Sequence, residues 1–275
     1  MSVGPVVRPP SSPVKSSEYG RIIPSHAAFV ETSETDHEFV YKPILERLAP
    51  LEGQRVLDYG TGPGFLAKLM AERGAHVLGV DTSVEGVLAA EQRYPAAQFP
   101  RLSFRAIPSG DISAAKGQKF DAAVCSFVLC TLQDRGEVVG ILKGIRDALK
   151  PGGTLVIADA PWDESNGANF VSYALPKAAT PLQSGAPVTA ILKGKNGHPD
   201  LPVQDYFWSK GDYRSMLEDS GFEVLSMDLP KAGANDTRWL DERKVPPSLI
   251  VTARSKAPDA FISAAKPRVE PPTQG

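Results

Sequence analysis

The run Arg55 to Tyr59 leads straight into Gly60-Thr61-Gly62-Pro63-Gly64, and a helical period starts near Phe65. Glycines at such a turn let the backbone bend sharply and lie against a ligand with no Cβ in the way. Open α/β sheets bind ligands at this place, outside the carboxyl end of a strand. A dinucleotide fingerprint spaced Gly-x-Gly-x-x-Gly would need glycine where Phe65 stands, so NAD is disfavoured. Pro63 removes an N–H that could bind phosphate, and no Lys-Ser/Thr pair follows, so a nucleoside triphosphate is disfavoured too. Asp58 places a carboxylate beside the guest, which favours a neutral or cationic one over a pyrophosphate. Asp81, ending the run His76 to Val80, can accept hydrogen bonds from a ribose diol. Its competing reading is a helix cap, a job open to Thr82 and Ser83 as well. Together the two acids suit an adenosine that carries a cation.

The elements that must position these residues read as alternating short apolar runs and helical periods. After Arg55 to Tyr59 and His76 to Val80 come Leu102 to Ile107, Phe120 to Phe127 and Thr154 to Ala158, all buried strands of a parallel sheet. The clearest helix starts near Asp134, shows Val138, Ile141, Leu142, Ile145 and Leu149 on one face, and stops at Pro151-Gly152-Gly153. Thr35-Asp36-His37-Glu38 reads as a capping box opening an earlier helix with Pro43 in its middle. Such alternation implies a doubly wound α/β sheet. After Asp159 it breaks into about fifty residues of aromatic-bearing chain, and a connection that long is usually functional. A helix from about Gly211 to Ser220 and the strands Phe222 to Leu229 and Ser248 to Ala253 complete the pattern. Residues 1–18 and 256–275 are Pro-rich and aperiodic and read as disordered tails around one domain, 19–255.

This ordered set of segments resembles the class I S-adenosylmethionine-dependent methyltransferases. The resemblance rests on Val56 to Gly64, Val77 to Asp81, Ser109-Gly110-Asp111-Ile112, Phe120 to Leu132, Leu149 to Ile157 and Leu217 to Val224, and extends from about Tyr41 to Arg254. It implies a seven-stranded sheet whose last strand is antiparallel; the length, position and aromatic content of 160–210 mark that segment as a substrate-lid insertion after the fifth strand. It also implies S-adenosyl-L-methionine as cofactor. Gly60, Thr61, Gly62 and Gly64 would then lie along the methionine and ribose beside Asp58, with Asp81 and Thr82 at the ribose. Asp111 and Ile112 would meet the adenine, although Asp111 also reads as a turn residue after Gly110. Ser126 and Phe127 would lie beneath the methionine, with plain core packing as the competing reading of Phe127. Many relatives carry His or Glu where Cys130 stands, so the family supplies no base there.

The acceptor is read as a small molecule. Net charge is −2 over 275 residues, with signs interleaved, which is no footprint for a phosphate backbone. The motifs of nucleic-acid base methylation are absent, and Ser126 stands where metal-dependent relatives place an acid, so no metal is expected. His198, Asp205 and Tyr206 are the acid-base candidates in the insertion, and Tyr19-Gly20-Arg21 and His26 could fold over the cofactor. No run of about 18 apolar residues is present, so the chain reads as soluble and cytoplasmic, without a membrane partner. Three alternatives stay open: methylation of a protein or peptide, non-catalytic S-adenosylmethionine binding, and an NAD(P)-dependent oxidoreductase.

Overall fold

The apolar runs build a seven-stranded sheet from β1 (Arg55–Tyr59), β2 (His76–Asp81), β3 (Leu102–Ala106), β4 (Phe120–Ser126), β5 (Leu149–Asp159), β9 (Phe222–Asp228) and β10 (Leu249–Ser255). A computed structural model describes residues 23–112, 117–178, 181–195 and 197–256. The expected tails, Lys256 apart, and Tyr19-Gly20-Arg21 lie outside these residues. Strand order is β3-β2-β1-β4-β5-β10-β9. β10 runs antiparallel to both β5 and β9, and the other pairs are parallel, as the motifs led us to expect. The order reverses between β1 and β4, where a crevice opens in folds of this type.

Neighbouring residues of each strand feed opposite faces because side chains alternate along a strand. Val56, Val77, Val124 and Val156 pack on α3 (Lys42–Leu48), α4 (Phe65–Ala71) and α5 (Val84–Arg93). Leu57, Leu78, Ala123 and Leu155 pack on α6 (Arg135–Ala148) and α8 (Lys210–Asp219). Asp134 caps α6, its Oδ1 accepting from Glu137 N at 2.7 Å, and Ser209 with Asp212 forms a capping box on α8. Among the described residues no helix is long and apolar enough to cross a membrane.

The N-terminal layer differs from its expected form. A helix, α1 (Ile23–Thr32), precedes the one read from the capping box, and the cap is Ser33, whose Oγ accepts from Asp36 N at 3.2 Å. Thr35 is taken up instead by contacts to distant chain. After α2 (Glu34–Asp36) comes a π turn, His37–Tyr41, in which Lys42 N–H reaches His37 O. An α-helix would set Asp36 and Tyr41 about 140° apart around its axis. The wider turn brings both onto the crevice.

The described residues of 160–210 form a separate layer: α7 (Trp162–Ser165) and an antiparallel sheet of β6 (Tyr173–Ala174), β7 (Pro187–Leu192) and β8 (Leu201–Tyr206). Its own core holds Trp162, Phe170, Leu175, Val188, Val203 and Phe207. A buried polar knot ties this layer to the N-terminal one. Glu242, with no exposed surface, accepts from Thr35 Oγ1 at 2.8 Å and Val171 N at 2.7 Å. Thr35 Oγ1 in turn accepts from Ser172 N at 3.1 Å.

Candidate active site

The glycine loop is held open by its own backbone. Gly60, Gly62 and Gly64 have φ of 77°, 51° and 81°, the left-handed region that side chains avoid. Gly60 N and Thr61 N donate to Val80 O at 2.8 and 3.0 Å, which pins the loop against the end of β2. A Cβ on Gly60 would collide with the Val128 side chain, and one on Gly64 would stand 2.9 Å from Phe104 Cζ and 3.0 Å from Ala90 Cβ. Gly64 therefore serves helix-to-strand packing. Beside the loop, Asp81 Oδ2 accepts from Gly62 N at 2.7 Å and Oδ1 from Ser83 N at 2.8 Å. Ser83 is the cap of α5, accepting from Gly86 N at 3.0 Å, so Asp81 is not needed for that job.

A cavity of about 790 Å³ opens on this loop and runs under the insertion. That falls within the usual span of about 300–1,000 Å³ for small-molecule sites. Its floor is the loop with Asp58, Asp81, Thr82, Ser126 and Phe127, and the N-terminal layer adds His26, Phe29, Asp36 and Tyr41. The insertion closes it with Tyr173, Leu175, Ala190, Val203 and Asp205. Phe127, at the joint beyond β4, adopts φ 52° with its N–H donating to Ala158 O at 2.8 Å. A bulky residue in that region is strained, a feature that concentrates at working sites.

The wall is acidic. Six carboxyl side chains line it (Asp36, Asp58, Asp81, Glu85, Glu137, Asp205), and no Lys or Arg stands among the described lining residues. Burial raises Asp58 to about 7, opposed by the Thr61 hydroxyl that donates to its Oδ2 at 2.8 Å. It raises Asp36 to about 7 as well, opposed by Ser33. Burial, then the nearby Asp159 carboxylate, pushes Asp205 well above the usual carboxylate range, while a Cys130 hydrogen bond opposes the shift. Burial holds His26 down to about 4, so its imidazole is neutral at pH 7. Burial thus raises Asp36, Asp58, Asp81 and Asp205 alike, and a cation bound among them would favour their ionised forms.

Residues 34–227 match a family model described as a methyltransferase domain. The chain belongs to the methyltransferase-domain family. The class I resemblance read from the motifs is thereby borne out in family and in fold. The chain is similar to the N-demethylindolmycin N-methyltransferase of Streptomyces griseus, 30% identical over 184 residues that cover 66% of this chain and 75% of the relative. It is also similar to a ubiquinone biosynthesis O-methyltransferase of Paracidovorax citrulli, 33% identical over 109 residues, though it spans only 44% of that protein's length. Among solved structures, an S-adenosylmethionine-dependent methyltransferase from Clostridium acetobutylicum superposes with TM-score 0.60 at 14% identity, over 87% of this chain and 99% of that one.

In this methyltransferase the expected site residues fall into two groups. Asp58, Gly60, Thr61, Gly62, Asp81, Thr82, Ser126, Phe127 and Asp205 converge on the cavity. Gly64, Asp111, Ile112, Tyr206 and His198 are not among its lining residues. Asp111 is exposed beyond the Gly110 turn, and Ile112 packs against the core. Tyr206 follows Asp205 on β8 and so points to the other face, where its hydroxyl accepts from Gln204 Nε2 at 2.7 Å. His198 Nδ1 lies 3.2 Å from Ser25 Oγ, in a shallow contact with α1. Sequence reasoning missed Asp36, Tyr41 and Tyr173 as cavity residues. Asp36 was visible only as part of a cap, and no 3.6-residue period announces a π turn.

Proposed function

We propose that this methyltransferase moves the methyl group of S-adenosylmethionine onto a nitrogen of a small organic acceptor enclosed beneath the insertion 160–210. The observation that carries the reading is a cavity beside an open glycine loop whose charged lining side chains are all acidic, which suits a sulfonium with its ammonium and disfavours a pyrophosphate. The Asp81 oxygens accept from Gly62 N and Ser83 N and retain acceptor capacity for a ribose hydroxyl. Ser109, which lines the cavity, would stand towards the adenine end, with Asp111 two residues beyond it in the chain. The nitrogen assignment follows the relative that is 30% identical, an N-methyltransferase by name.

The bound donor supplies a methyl group already activated by the sulfonium. The chain's own contribution is alignment, which can be worth about 7–11 kcal/mol. The insertion sheet and the N-terminal layer hold the acceptor and exclude water. Asp205, whose carboxyl burial pushes well above the usual carboxylate range, lines the cavity and in its protonated form would offer an O–H to a polar atom of the acceptor. With its net charge of −2 and no membrane-spanning helix among its described residues, the enzyme is read as cytoplasmic, acting on neither nucleic acid nor membrane.

Calorimetry with S-adenosylmethionine and with S-adenosylhomocysteine tests the donor, and Asp81→Ala is expected to weaken both by roughly 30-fold or more through lost charge-assisted bonds. Mass spectrometry of small metabolites incubated with isotopically labelled donor then identifies the acceptor and its methylated atom. No measurable affinity for donor or product in the wild-type protein would overturn the reading.

A further inference from the structure

Asp36 Oδ1 is buried and has no hydrogen-bond partner, although Asp36 lines the cavity with 2% of its surface exposed. An unsatisfied buried carboxylate oxygen is costly and is retained where something else satisfies it. Its surroundings narrow what that is. Tyr41 and Tyr173 stand close enough to feel its charge, and both line the cavity. Asp58 also acts on Tyr41, so a second carboxyl faces the same region. No Lys or Arg of the described lining residues reaches it. Two tyrosines within electrostatic reach of an unpaired carboxyl oxygen, in a cavity whose charged lining side chains are all acidic, suit an organic ammonium group.

The donor's ammonium does not account for this oxygen as well as the acceptor does. Asp36 belongs to the N-terminal layer, and its π turn adjoins the knot of Thr35, Ser172 and Glu242 that joins this layer to the insertion. Tyr173 is itself part of the insertion sheet. The oxygen therefore lies at the seam between the two layers that enclose the acceptor.

We propose that Asp36 is the acceptor-binding carboxylate, and that the acceptor is a primary or secondary amine that enters as its ammonium ion. The proposal deepens, and rests on, the reading of the chain as an S-adenosylmethionine-dependent N-methyltransferase. The ammonium N–H donates to the Asp36 carboxylate, then breaks, its proton passing to that carboxylate and its electron pair staying on nitrogen. That pair forms the N–CH₃ bond while the C–S pair returns to sulfur, leaving a methylated ammonium and a neutral thioether. Burial lifts the Asp36 carboxyl to about 7, which suits it to hold that proton near neutrality.

Two probes of one carbon skeleton, 2-phenylethylammonium chloride and 2-phenylethanol, test the inference by calorimetry on the full chain saturated with S-adenosylhomocysteine. The wild type is expected to bind the ammonium at least about tenfold more tightly than the alcohol, the worth of one charge-assisted hydrogen bond. Asp36→Asn keeps the shape and is expected to bring the two probes within about twofold, with S-adenosylhomocysteine affinity changed less than about threefold. A wild type with no ammonium preference overturns the proposal without any variant. A variant that retains the preference overturns it as well, and so does one that loses S-adenosylhomocysteine binding, because Asp36 would then serve the donor. Failure of the wild type to bind S-adenosylhomocysteine at all is a different result and sinks the donor reading on which the proposal stands.

Discussion

Replacing Gly60 with Ala combines two costs that a double-mutant cycle can separate. At φ 77° an alanine is strained by about 1–2 kcal/mol. Its Cβ would also occupy the space of Val128 Cγ2, a stiff β-branched side chain, adding about 1–3 kcal/mol of overpacking. Gly60→Ala should therefore lose roughly 2–5 kcal/mol of unfolding free energy, the sum of those two ranges. Gly62→Ala is the control, since at φ 51° its Cβ would meet only His26 Cε1, at 3.8 Å. Strain alone, about 1–2 kcal/mol, is expected there. Adding Val128→Ala to Gly60→Ala removes the collision but leaves the strain, so the cycle should show favourable coupling of about 1 kcal/mol or more. The same cycle with Gly62→Ala should close additively. Urea unfolding of the six proteins gives every term. If Gly60→Ala cost no more than Gly62→Ala, and its cycle with Val128 also closed additively, the close approach of loop and β4 joint would be refuted.

Two further outcomes follow from the cavity wall. Asp58 is raised from 3.8 to about 7, so the folded state binds a proton the unfolded one releases, and its contribution is full below about 4 and lost as pH rises through 7. Relative to Asp58→Asn, the wild type should lose stability over that window, on the order of 4 kcal/mol in total, readable from urea unfolding at stepped pH; a flat difference would show Asp58 to be ionised throughout. In the acceptor half, Asp205→Asn should lower kcat/KM about tenfold, while His198→Gln and Tyr206→Phe stay within about twofold because neither lines the cavity; steady-state assays with the identified acceptor check all three.

The sheet was legible because its central strands are buried on both faces and its runs are punctuated by Gly and Pro, so each was short and bounded. Asp58, the glycine turn and Asp81 were legible for a related reason. Strand-end placement converts linear spacing into spatial neighbourhood, and the register Tyr59↔Val80 and Tyr59↔Cys125 puts those ends side by side. The acceptor half offers no such conversion. The alternation of β8 decides that Asp205 faces inwards and Tyr206 outwards, yet sequence alone gave no ground for choosing between them. His198 lies in a loop whose course depends on its contact with α1, and α1 has no clear amphipathic period to announce it. Asp36 reached the cavity only through a π turn and a cap shifted to Ser33. Residues set by the sheet could be read, and residues set by layer-on-layer docking could not.

The Glu242 knot bears on how such an enzyme could change its acceptor. Because one buried carboxylate is shared between Thr35 near the start of the fold and Val171 in the insertion, the segment 160–210 is not a cassette that could be transplanted whole from another relative. A graft that brought new walls but did not match Thr35 and Glu242 would leave that buried carboxyl oxygen unsatisfied, at a cost of about 1–3 kcal/mol, a sizeable share of a domain's total stability. Divergence of acceptor choice would then proceed by single replacements on the inward faces of β7 and β8.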